Sequence, residues 1–100
     1  IINDATRADA QQVGMDSLAE VISSGSTLPS TFLPETNEHF RSVFSSADGI
    51  IAKGQGNYEG LSACRDERLF SILRIKCDRV AADIGAPNGT LVLRQSSNHY

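Results

Sequence analysis

A short apolar run that breaks abruptly into Lys53-Gly54-Gln55-Gly56-Asn57 constrains this chain more than any other feature. Gly49 to Ala52 carries two isoleucines between turn residues, as a buried strand does. The next five positions hold a cation, two glycines and two amides. Glycine lets backbone N–H groups approach a ligand with no Cβ in the way, and successive N–H groups make an anion-binding nest. A lysine beside such a nest supplies a point charge for phosphate. The competing reading is a Gly-rich turn that merely ends a strand. Two familiar phosphate loops are excluded. Gly60 falls one position late for G-x-G-x-x-G, and Lys53 precedes the glycines where a Walker A lysine follows them.

The length of 100 residues suits one small domain. A formal charge of −3 argues against nucleic acid or an anionic membrane as the main partner. No stretch approaches the length of a membrane-spanning helix. Cys64 and Cys77 form neither a CxxC pair nor a disulfide framework, which favours a reducing, cytoplasmic setting. The chain opens on strand-like Ile1-Ile2 with no methionine and no polar lead-in, and so reads as a cut through an element of a longer protein.

Taken in order, Ile1-Ile2-Asn3 ends a strand with Asp4 at its tip. Asp4 or Thr6 then caps a helix over residues 7–13 that stops at Gly14. Leu18 to Ile22 is a second strand-like run, and Ser23-Ser24-Gly25-Ser26-Thr27 is either a solvated loop or a ring of hydroxyl donors. Two prolines make residues 28–34 an irregular connection. Phe40, Val43, Phe44 and Ala47 recur at helical spacing and predict a helix over 36–47 with one buried stripe. His39 lies off that stripe. A short helix is expected over 58–62, then a charge run, Arg65-Asp66-Glu67-Arg68, most simply a solvated turn. Strands over 69–75 and 91–93 flank a helix over 78–84, capped by Asp78 and stopped by Gly85. Residues 1–95 would be the α/β portion and 96–100 a tail. The predicted core is Phe40, Val43, Phe44, Ile50, Ile51, Ile72, Leu73, Val80, Ile84 and Val92.

Strands alternating with helices predict a Rossmann-like three-layer α/β fold, a mostly parallel sheet with helices on both faces. Ligands of such sheets collect beyond the carboxyl ends of the strands. There this order would gather Asp4, the Ser24–Ser26 loop, Lys53 to Asn57 and Lys76. A carboxylate, hydroxyls, a glycine nest and two lysines together suit a phosphorylated ligand with a divalent cation on Asp4.

These same residues resemble a known family. Ile2-Asn3-Asp4-Ala5-Thr6 with Asp9-Ala10, Ala47-Asp48 through Lys53-Gly54-x-Gly56-Asn57-Tyr58-Glu59, and Leu73-Arg74-x-Lys76-Cys77 look like the C-terminal part of the metal-dependent damage-control phosphatases. That family is also catalogued as domain of unknown function 89, and the Lys-Cys pair is similar to its archaeal and bacterial branch. The resemblance implies hydrolysis of small phosphate monoesters such as sugar phosphates or damaged phospho-metabolites. It also implies a divalent ion, Mn, Co, Ni or Mg. Asp4 matches a metal-binding and catalytic aspartate, and Lys76 a catalytic lysine that closes on the phosphate. Lys53, Gly54, Gln55, Gly56 and Asn57 match the phosphate- or substrate-holding loop. The family's Asp-Asn-x-Gly-Glu motif does not occur in this chain and is expected upstream of Ile1, in a missing N-terminal part of the same protein. The competing class is a non-catalytic phosphate- or nucleotide-binding α/β module, which an absence of that upstream motif would favour.

Overall fold

A computed structural model describes residues 5–28 and 30–96. The expected Ile1–Ile2 strand, Asp4 and the residues after Ser96 lie outside this range. Among the described residues no helix is long and apolar enough to cross a membrane.

Helix α1 (Arg7–Gln12) begins at Thr6, whose hydroxyl accepts from the Asp9 N–H while the Asp9 carboxylate accepts from the Thr6 N–H. This reciprocal pair satisfies two of the donors that a helix start leaves open. The two bonds from Thr6 hold the Asp9 carboxyl below its ordinary range. After Gly14, at φ +79°, a 3-10 turn (Met15–Ser17) leads into irregular chain. Leu18–Ile22 is not a strand, and Leu18 is 82% exposed. An apolar run becomes a strand only where a ladder partner meets its backbone, and no described strand lies beside it.

Helix α2 (Glu38–Ser46) starts at Asn37, whose side-chain oxygen accepts from the Phe40 N–H at 2.8 Å. Its expected stripe is only partly covered. Phe40 and Phe44 are half-buried and Val43 is exposed, because α2 meets the core mainly through Phe44.

The sheet has three strands in the order β1-β2-β3: β1 (Ile50–Lys53), β2 (Leu69–Arg74) and β3 (Leu91–Gln95). The pair β1–β2 is parallel, with Ile50 opposite Leu69 and Lys53 opposite Ile72. The pair β2–β3 is antiparallel, with Arg74 opposite Leu91 and Phe70 opposite Gln95. The mostly parallel three-layer expectation is therefore wrong: the sheet is small and mixed. Helix α4 (Asp78–Ile84) leads to β3, and since a helix of only six residues lies between the parallel β1 and β2, what turns β3 round is the segment after α4. Gly85, at φ +82°, ends the helix, and a turn brings the chain back beside the end of β2. There the Ile75 N–H donates to the Thr90 carbonyl at 2.9 Å and the Gly89 N–H to the Ile75 carbonyl at 2.8 Å. These two bonds open the ladder in which β3 runs antiparallel to β2.

The helices also fail to cover both faces. Ile50, Ala52, Leu69, Ser71, Leu73 and Val92 share one face, against which Leu61 of the turn after helix α3 (Gln55–Gly60) and Val80 of α4 pack. Ala52, Leu61 and Leu69 form one buried cluster; Leu73, Ile75 and Val80 form another. Ile51, Leu91 and Leu93 on the opposite face are exposed. Thus, of the predicted core, Leu73 and Val80 are buried, Ile51 and Val43 are exposed, and the rest are half-buried.

Two more expectations are corrected. Helix α3 starts at Gln55, three residues before the expected Tyr58. Asp78 does not cap α4: Cys77 occupies the cap position with no side-chain bond, and Asp78 instead accepts from the Asn88 amide.

Candidate active site

Parallel pairing of β1 and β2 sends both strands out of the same edge of the sheet; β1 ends in Lys53, and Lys76 stands two residues past the end of β2. Gly54 then turns the chain at φ +99° and ψ 155°, a region that L side chains rarely adopt, while its N–H donates to the Ile72 carbonyl at 2.8 Å. A glycine here lets a strand become a helix within one residue. Lys76 follows Ile75, the most deeply buried side chain of the core, and precedes the extended Cys77 that opens α4. The two β-α turns are alike: a strand, an exposed lysine, and a helix start without a side-chain cap. Neither lysine ammonium has a hydrogen bond or ion pair among the described residues.

The amides of the Lys53–Asn57 segment face inward, toward protein partners. Gln55 reaches the other turn: its side-chain oxygen accepts from the Lys76 N–H at 2.8 Å, and its nitrogen lies 3.7 Å from the Cys77 Sγ. Asn57 reaches back in the other direction. Its oxygen accepts from the Thr31 N–H at 3.0 Å and the Thr31 hydroxyl at 2.9 Å, and its nitrogen donates to the Lys53 carbonyl at 2.8 Å. Gly56 lies within α3 and does not take positive φ. Thr31 escaped sequence reasoning; it sits in a Pro-flanked stretch with no local signal, 26 residues from its partner.

The serine loop forms a separate grouping. Ser23, Ser24 and Ser26 hydroxyls accept from N–H groups two residues on, which makes them turn formers. With Ala5, Thr6 and Arg7 they line a cavity of about 450 Å³ that includes neither lysine. The structure therefore brings Lys53 to Asn57 together with Lys76, and the residues following Asp4 together with the serine loop. Asp4 itself is outside the described residues. Among those described, no group of three or more His, Cys, Asp or Glu side chains could hold a metal ion. The donors in view do not by themselves fit a divalent cation, which wants several oxygen ligands. Cys64, away from the two turns, has its thiol pushed up first by burial and then by the charge of Asp66.

The comparisons with known proteins agree with this arrangement of strands and turns. The family model of the damage-control phosphatase ARMT1-like domain matches residues 1–92. A damage-control phosphatase of Pyrococcus horikoshii is 45% identical over 92 residues, covering 92% of this chain and 32% of that protein. An uncharacterized protein of Methanocaldococcus jannaschii is also 45% identical, over 96 residues, covering 93% of this chain and 32% of its own length. A crystal structure of a DUF89 family protein from Pyrococcus horikoshii superposes with a TM-score of 0.90 at 41% identity, covering 95% of this chain and 33% of that one. The chain belongs to the damage-control phosphatase ARMT1-like (DUF89) family. It spans about a third of the length of the relatives it matches.

Proposed function

We propose that this chain is the phosphate-holding part of a metal-dependent phosphatase that hydrolyses small phosphate monoesters, a sugar phosphate or a damaged phospho-metabolite. What carries the reading is Lys53 at the end of β1 and Lys76 two residues past the end of the adjacent parallel strand β2, both ammonium groups without a partner among the described residues, in a chain of this family. Phosphoryl transfer asks a protein mainly for positioning and for neutralisation of the equatorial oxygens. Lys53 would bind the substrate phosphate together with the backbone N–H groups of Gln55, Gly56 and Asn57, while Gly54, whose N–H is held by the Ile72 carbonyl, would supply the turn that presents them. Lys76 would close on the transferred group and neutralise charge as the leaving oxygen departs. Uncapped helix starts suit an anion, since their open N–H groups and the helix dipole both favour negative charge.

The divalent ion, Mn, Co, Ni or Mg, supplies Lewis acidity when bound. Asp4 would contribute one carboxylate to it, and the other ligands would come from the two thirds of the relatives' length that this chain does not span. The test is a screen of the full-length protein against sugar phosphates and cofactor phosphates, with and without manganese. Manganese-dependent turnover that falls at least about a hundredfold in both Asp4→Asn and Lys76→Met is expected. Phosphate binding without turnover of any compound would make the protein a binding module instead.

A further inference from the structure

Gln55 follows the first lysine-bearing turn directly in the chain, and its side chain reaches across to the second. Lys53 is held by the ladder, opposite Ile72, and Gly54 by its bond to the Ile72 carbonyl. Ile75 is held from the other side by Thr90 and Gly89. Past Ile75 the chain leaves the sheet, and the N–H of Lys76 has no strand to donate to. Gln55 supplies that acceptor at 2.8 Å, while the other end of its carboxamide meets Cys77 at 3.7 Å. Both polar ends of the side chain are thus spent on the neighbouring turn.

We propose that Gln55 is a positioning residue for the phosphate edge: its carboxamide ties the Lys76–Cys77 turn to the Lys53–Gly54 turn and so sets how the two lysines approach one phosphate, which this side chain does not itself contact. The proposal rests on the phosphate reading given above. Lysine stems are flexible, so the protein controls them through where their backbones stand. A displacement of about 1 Å in a positioning element is enough to cost a catalytic site much of its rate. The upper end of an ordinary hydrogen bond, about 1.4 kcal/mol, corresponds to a tenfold effect.

The full-length protein labelled with ¹⁵N-lysine reads this through the Lys76 amide. Gln55→Leu keeps the bulk and removes both bonds. Lys76 N–H exchange should then accelerate about tenfold, and inorganic phosphate should bind about tenfold more weakly. Gln55→Glu keeps an acceptor for the Lys76 N–H and should restore its protection, which a general loosening of the fold would not do. A Lys76 amide unmoved in Gln55→Leu overturns the positioning role and leaves the phosphate reading standing; weaker phosphate binding in that same case would make Gln55 a direct ligand. If inorganic phosphate disturbs neither lysine in the parent protein, the phosphate reading fails and the positioning role falls with it.

Discussion

Arg68 and Asp66 form a forked ion pair whose shortest contact is 2.6 Å, and the same guanidinium donates to the carbonyls of Phe44, Ser45 and Ala47 at 3.2, 3.0 and 2.7 Å. A run of charges thereby closes the C-terminal end of α2, where carbonyls lack helical partners. The bonds from Arg68 hold the Asp66 carboxyl down to about 2, from an ordinary value of 3.8. A carboxylate depressed in the folded state contributes stability that is complete above its unfolded value and is lost as pH falls through the folded one. The parent protein should therefore lose stability between about pH 4 and pH 2 more steeply than Arg68→Leu does. Melting temperatures measured across that interval test this. Parallel curves for the two proteins would show that the pair contributes nothing to acid sensitivity.

The buried face of the sheet sets the second prediction. Leu73 is 2% exposed, against 42% for Val43. Leu73→Ala should cost about 2–5 kcal/mol, enough to unfold a marginal domain, whereas Val43→Ala should cost well under about 1.5 kcal/mol. Denaturant midpoints compare the two. Equal losses would mean that the helical stripe of α2 is covered after all.

Glycines in and around α3 should respond differently to the same substitution. A Cβ on Gly60 would stand 2.4 Å from the Thr31 carbonyl oxygen, so Gly60→Ala must push two backbones apart at about 1–3 kcal/mol. Gly54 has open space around a Cβ but φ +99°, and Gly54→Ala should cost about 1–3 kcal/mol through backbone strain alone. Gly56, inside α3, should gain up to about 1 kcal/mol on becoming alanine. Three urea titrations test the order. A destabilised Gly56→Ala would reveal a close approach at that position.

Strand ends and glycine turns were legible because their signals are local. The Ile50–Lys53 strand, the Gly54 turn and the Gly85 stop each depend on a few adjacent residues. The direction of β3 was not legible, because it is set where Gly89 and Thr90 bond to Ile75, more than ten residues earlier in the chain. Leu18 to Ile22 looked like a strand by apolarity, yet strand formation needs a neighbour that no local pattern names. Arg68 read as a solvated charge, since the carbonyls that accept from it lie more than 20 residues away. In the candidate site the lysines were legible as residue types after strands. The partners that Gln55 and Asn57 bind were not, because both contacts cross from one turn or connection to another.

Asn57 sets the last prediction, because one side chain joins three parts of the site. Two donors from Thr31 converge on its oxygen, and its nitrogen holds the Lys53 carbonyl. The irregular connection before α2 is thus tied to the turn that carries the first lysine. Asn57→Ala leaves the Thr31 N–H and hydroxyl and the Lys53 carbonyl all without this partner, and should cost about 1–3 kcal/mol. Thr31→Val removes one donor and keeps the shape, so it should cost only about 0.5–1.5 kcal/mol. If the two residues act through each other, the double variant should lose less than the sum, with a coupling of at least about 0.5 kcal/mol. Asn57→Asp is the sharper probe: it keeps the acceptor for Thr31 but sets a carboxylate against the Lys53 carbonyl. Stability should fall there too, while Thr31 amide protection survives. An Asn57→Ala variant of unchanged stability and reduced phosphate affinity would instead place the Asn57 side chain directly on the phosphate.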